Sequence, residues 1–152
     1  MNSQIVQVSI VVKKQPEAVE FYTKKLGFKK KIDFPTPDGN RWIVVGPEEQ
    51  NLGLALIEAG WQDNSGLGRQ WKAGEGAPIV LQVEDCNETY QELKSKGVGF
   101  MRVWGEELKT LPYGTVAFFS DPDGNLFEVL QPSQALVHSS KARREQVLSG
   151  SA

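Results

Sequence analysis

One histidine, His138, and one cysteine, Cys86, stand among 152 residues. Those counts exclude a metal centre or relay that needs two imidazoles from one chain, an internal disulfide, and a cysteine-only zinc site. No Gly-rich phosphate loop, HExxH pair, GxSxG elbow or CxxC motif occurs. What remains is carboxylate and aromatic chemistry. Glu128 follows the run Asp121-Pro122-Asp123-Gly124-Asn125. A carboxylate there, facing an apolar cleft, would have its pKa raised and would act as a base or anchor a cationic ligand. Its bland alternative is a hydrogen bond to Gln7 or to water. Trp42, Trp61, Trp71 and Trp104, with Phe34, Phe100, Tyr113 and Phe118, supply flat apolar surface of the kind that lines a pocket for an organic molecule. Phe118, Phe119 and Phe127 are expected in the core, and Cys86 as a small buried hydrophobe.

Positioning those groups falls to a pattern that occurs twice. Val6 to Val12 reads as a β-branched strand. A helix with Pro16 in its first turn follows, Ala18, Tyr22 and Leu26 sharing its apolar face, and Gly27 stops it. Strands are predicted over Phe28 to Phe34, Arg41 to Gly46 and Leu52 to Glu58. The second half repeats the order: strand Pro78 to Val83, helix Asp85 to Lys96 ended by Gly97, then strands Val98 to Trp104, Thr115 to Ser120 and Leu126 to Gln131. Asp85 is placed to cap the second helix, with Glu88 three residues on. Two βαβββ modules imply a duplication. Their bounds are 4–59 and 77–132, with a Gly-rich connector at 60–76 and a polar tail at 133–152.

With 17 Lys+Arg against 19 Asp+Glu the net charge is -2, so no basic excess exists for phosphates and no nucleic-acid partner is expected. The longest N-terminal apolar run, Val8 to Val12, is interrupted by Ser9 and is short of a secretory or membrane-spanning segment. A soluble cytoplasmic protein with no membrane partner is expected. Lys24-Lys25 and Lys29-Lys30-Lys31 read as a solvated face.

Phe21-Tyr22 with Leu26-Gly27-Phe28, and Asp121-Pro122-Asp123-Gly124-Asn125 ending in Glu128, resemble the signature of the glyoxalase, bleomycin-resistance and extradiol-dioxygenase superfamily, the vicinal oxygen chelate group. The likeness covers roughly residues 4 to 132. It implies an α+β fold in which two βαβββ modules in tandem form curled mixed sheets around a cleft, usually completed by a homodimer. The family's enzymes hold a divalent metal with four side chains, one on the first and one on the last strand of each module. The matching positions here are Gln7, Leu54, Pro78 and Glu128. Leucine and proline offer no side-chain donor, and two oxygen donors are too few for stable binding of a hard cation.

The resulting expectation is a metal-independent, cofactor-free protein that binds a small hydrophobic or aromatic ligand in a cleft formed by Gln7, Trp42, Leu54, Pro78, Trp104, Tyr113 and Glu128. The alternative is a metal-dependent lyase or isomerase, or a ring-cleaving dioxygenase, of the same superfamily.

Overall fold

A computed structural model of the chain describes residues 1–2, 5–36, 39–61, 72–74 and 79–134. The element order is β1 (Gln7–Val12), α1 (Gln15–Glu20) running into a π-helical turn (Phe21–Lys25), β2 (Lys29–Pro35), β3 (Arg41–Gly46), β4 (Gly53–Glu58), β5 (Ile79–Gln82), α2 (Cys86–Ser95), β6 (Phe100–Met101), β7 (Leu108–Leu111), β8 (Gly114–Ser120) and β9 (Leu126–Pro132). The two modules have one topology: β1-β4-β3-β2 in the first sheet and β5-β9-β8-β6 in the second, with β7 also paired to β8. In both sheets the module's first strand lies parallel to its last. This is the α+β architecture the sequence implies.

Each helix forms and stops for local reasons. Pro16 sits in the first turn of α1, where its missing N–H costs nothing. The turn then widens, Leu26 N–H reaching Phe21 O at 3.4 Å, and Gly27 at φ 71° lets Phe28 N–H close on Tyr22 O at 2.9 Å. Asp85 caps α2 through Oδ1, which accepts from Glu88 N–H at 2.9 Å. Gly97 ends that helix at φ 84°.

The chain divides into two compact units, residues 1–78 with 120–126 and residues 79–119 with 127–152. The tip of the β8–β9 hairpin thus belongs to the first unit. There Asp121 Oδ1 accepts the N–H groups of Asp123 and Asn125 at 2.9 and 2.8 Å. Its Oδ2 accepts the Tyr22 hydroxyl and Asn125 Nδ2, both at 2.8 Å, and Asn125 Nδ2 also donates to Val11 O. Tyr22 is fully buried. Burial, followed by the Asp121 carboxylate, pushes its phenol well above the usual tyrosine range. The Asp-Pro-Asp-Gly-Asn motif is therefore a buried clamp onto the helical segment of module one.

In the second unit a chain of rings carries α2 onto its sheet: Tyr90 against Phe100 (4.8 Å), Phe100 against Phe119 (5.7 Å) and Phe119 stacked on Phe127 (5.2 Å). Cys86 is fully buried with its Sγ 3.7 Å from Val129 O, and burial lifts its thiol to about 11. It behaves as the small hydrophobe expected.

Two elements differ from the sequence reading. The strand expected over Val98 to Trp104 shrinks to Phe100–Met101, because Val103 and Glu106 bridge across a tight turn at Trp104-Gly105. Leu108–Leu111 is an additional strand whose short, half-polar run carries little periodic signal.

Candidate functional site

Side chains alternate along a strand, so the pairing registers decide which residues share a face. In the second sheet, Val80 pairs with Glu128, and Met101 with Phe118. Two backbone bonds bracket the β8–β9 hairpin, Asp121 N–H to Asn125 O and Ser133 N–H to Tyr113 O. Both ends give one register, which sets Phe118 opposite Glu128 and agrees with the Phe119–Phe127 stack. One row therefore crosses four strands: Val80, Glu128, Phe118, Met101. It lies on the face away from α2, because Phe100, Phe119 and Phe127, which carry α2, occupy the other.

This row is apolar and accessible, with Val80 50% and Met101 38% exposed and Glu128 and Phe118 half-buried. Desolvation holds the Glu128 carboxyl above its ordinary pKa. No hydrogen bond or ion pair links that carboxylate to another described residue. In the neighbouring row, Gln82 pairs with Leu130 and Lys109 with Val116, and the Lys109 ammonium is held by Glu106 at 3.2 Å. The expected core position of Phe118 is corrected: Phe119 and Phe127 are buried completely, while alternation turns Phe118 to the opposite face.

The first sheet builds the equivalent row without a charge. Ser9 pairs with Ala55, Ala55 with Val44, and Val44 with Ile32. Gln7 pairs with Gly53 and so lies on this face, whereas Leu54 pairs with Val8 on the other. Gln7 and Leu54 are thus not brought together. The latter face is the one next to α1, since Glu58, paired like Leu54 on it, accepts the Gln15 N–H at 3.0 Å. Row by row, the counterpart of Glu128 is Ala55, one residue beyond the Leu54 expected. The slip arises because the β3–β4 connection is one residue longer than the β8–β9 connection, Val45 pairing with Leu54 where Phe119 lies opposite Phe127, so matching the two turns displaces the strand that follows. Ala55 is fully buried and brings only a methyl group.

Trp42 stands two residues from Val44 on the Gln7 face, beside Phe34 (50% exposed) and edge-on to Trp61 at 6.0 Å. Trp104 is 63% exposed at the β6–β7 turn with φ 52°, a left-handed conformation that strains a non-glycine residue. Tyr113 is exposed in the β7–β8 turn. Pro78, Trp71 and His138 lie outside the described residues. Among the described residues no three His, Cys, Asp or Glu side chains gather as a metal-binding group. No described helix is long and apolar enough to cross a membrane.

The glyoxalase/bleomycin resistance protein/dioxygenase superfamily model matches residues 4–129. The chain belongs to that superfamily. An uncharacterised protein of Bacillus subtilis, YurT, is 37% identical over 130 residues, spanning 84% of this chain and 98% of its own. A probable lactoylglutathione lyase of Synechocystis is 29% identical over 122 residues, covering 77% and 86% of the two chains. Among solved structures, TnmS3, an antibiotic binding protein from Streptomyces, superposes with a TM-score of 0.70 at 29% identity, covering 87% of this chain and 98% of that one. The superfamily thus spans enzymes and binding proteins, and the donor set must decide between them.

Proposed function

We propose that this superfamily member is a small-molecule-binding protein that takes a hydrophobic or aromatic ligand on the far face of its second sheet, beside Glu128, without the divalent metal of the family's enzymes. The observation that carries the reading is the row Val80, Glu128, Phe118, Met101, which offers apolar surface around one carboxylate. Such surface gains roughly 25 cal/mol for each Å² that a ligand removes from water.

The donor chemistry supports the same reading. Of the family's four ligand positions, Glu128 and Gln7 bring one carboxylate and one amide oxygen. On β4 neither Leu54 nor Ala55 carries a side-chain donor, and Pro78 has none. Neither a hard cation nor a transition metal is well served by that set. Likeness to an antibiotic binding protein is in keeping with it. The reading includes a homodimer, as the family resemblance implies, which light scattering on the purified protein tests.

Likeness to a probable lactoylglutathione lyase favours the alternative, a metal-dependent lyase. The two separate in one experiment on purified protein: metal analysis, assay with the methylglyoxal–glutathione hemithioacetal and with catechol, and calorimetric titration with acridine, a flat neutral aromatic. Saturable acridine binding with no stoichiometric divalent ion and no turnover is expected. One bound ion per chain with turnover of the hemithioacetal would overturn the reading in favour of the lyase.

A further inference from the structure

We propose that the ligand is a planar aromatic cation, whose positive group pairs with Glu128 while its rings lie along the Val80–Phe118–Met101 row. This rests on the binding reading above and specifies the chemistry of the ligand.

Three observations carry it. The Glu128 carboxylate has apolar neighbours on both sides, Val80 across β5 and Phe118 across β8. A carboxylate so placed loses hydration, and a charged partner from outside restores what it has lost. Among the described residues, the cations of the second unit are engaged elsewhere, Lys96 with Glu92 at 3.2 Å. Lys109, in the next row on the same face, is engaged with Glu106, and Lys94 is engaged with Glu107 at 3.2 Å. Arg102 donates to Gly105 O through Nε and Nη2.

The spacing gives the ligand its shape. Neighbouring strands lie about 4.8 Å apart, so the row from β5 to β6 is roughly 14 Å wide, and Glu128 is one strand from its β5 end and two strands from its β6 end. That asymmetry suits a molecule with its cationic group near one end and two or three fused rings beyond it. Phe118 then offers a ring face to the cation as well as to the rings, since an aromatic face attracts positive charge. Met101 at the end of the row provides a thioether, which packs well against aromatic edges.

The probes are 9-aminoacridine, a planar cation at neutral pH, acridine, its neutral counterpart, and acridine-9-carboxylate, an anion of the same outline. Each is titrated calorimetrically into protein stripped with EDTA, at pH 7.5 and low salt. The expected order is 9-aminoacridine, then acridine about ten-fold weaker, then the carboxylate weakest. Glu128→Gln keeps the shape and removes the charge, so it should bring 9-aminoacridine to within about two-fold of acridine. Val80→Lys, at an exposed position that tolerates a long side chain, should produce the same levelling by supplying the cation internally. Equal binding of the cation and the neutral ring by the natural protein overturns this inference and leaves the binding reading intact. A cation preference that survives both variants also overturns it, because the charge recognised then lies elsewhere. Failure of all three acridines to bind overturns the binding reading itself.

Discussion

The two sheets have the same strand order, the same parallel closure and equivalent rows, yet those rows carry different side chains, most tellingly on the last strand. In the first, the row through β4 reads Ser9, Ala55, Val44, Ile32; in the second, the row through β9 reads Val80, Glu128, Phe118, Met101. Ala55 is shut away completely, whereas Glu128 keeps partial access to water. One topology therefore carries two different rows: the first is closed at its centre, at Ala55 and Val44, and the second holds an ionisable group on apolar ground. Topology alone does not make a site. Access and a single side chain do.

The sharpest way to break this comparison is to give the first sheet the group of the second. Ala55→Glu places a longer, charged side chain where no space or solvent exists and should cost about 4 kcal/mol or prevent folding, as read by urea denaturation. If Ala55→Glu melts like the natural protein, the two rows are equivalent.

The hairpin tips differ just as much. Asp121 serves four donors in the buried clamp, while Glu48, in the corresponding β3–β4 connection, is exposed. Asp121→Ala should destabilise by about 3 kcal/mol, and Glu48→Ala by no more than about 0.5 kcal/mol. Tyr22→Phe removes one bond of the same clamp and should cost about 1–2 kcal/mol near neutrality. It also carries a pH signature. The folded protein holds the Tyr22 proton more tightly than the unfolded chain, so the natural protein loses stability as pH rises past about 10, the ordinary tyrosine value. Thermal melts of Tyr22→Phe across that range should lack this component.

Smaller effects separate binding from folding on the second unit. Trp104→Asn relieves a left-handed conformation and should stabilise by about 1 kcal/mol. If Trp104 also contacts ligand, acridine affinity falls while the melting temperature rises, a pairing that a purely structural role would not give. Glu128→Gln should melt slightly higher than the natural protein at pH 7.5, because the raised pKa means that ionised Glu128 opposes folding. That gap should close below about pH 4.3, where the unfolded glutamate is protonated too.

Much of this was legible without coordinates. Gly27 and Gly97 mark both helix ends because glycine takes a left-handed conformation at little cost, and the signal is local. Asp85 three residues before Glu88 is equally local. Distance along the chain is what hid the rest. Tyr22 and Asp121 are 99 residues apart, so the motif around Asp121 read as a turn and not as a clamp. The β3–β4 connection holds one residue more than the β8–β9 connection, a difference that only pairing reveals and that moves the counterpart of Glu128 from Leu54 to Ala55. Phe118 carries the same ring as its neighbour Phe119, and only the pairing register tells the two faces apart.

The placement of the β8–β9 tip has a consequence for how the protein comes into being. A ribosome delivers Tyr22 early, but the residues that satisfy its hydroxyl arrive only when 121–125 have emerged. Module one cannot complete its interior during the synthesis of its own segment, and its folding must wait for most of the second. Long-range closures of this kind slow folding.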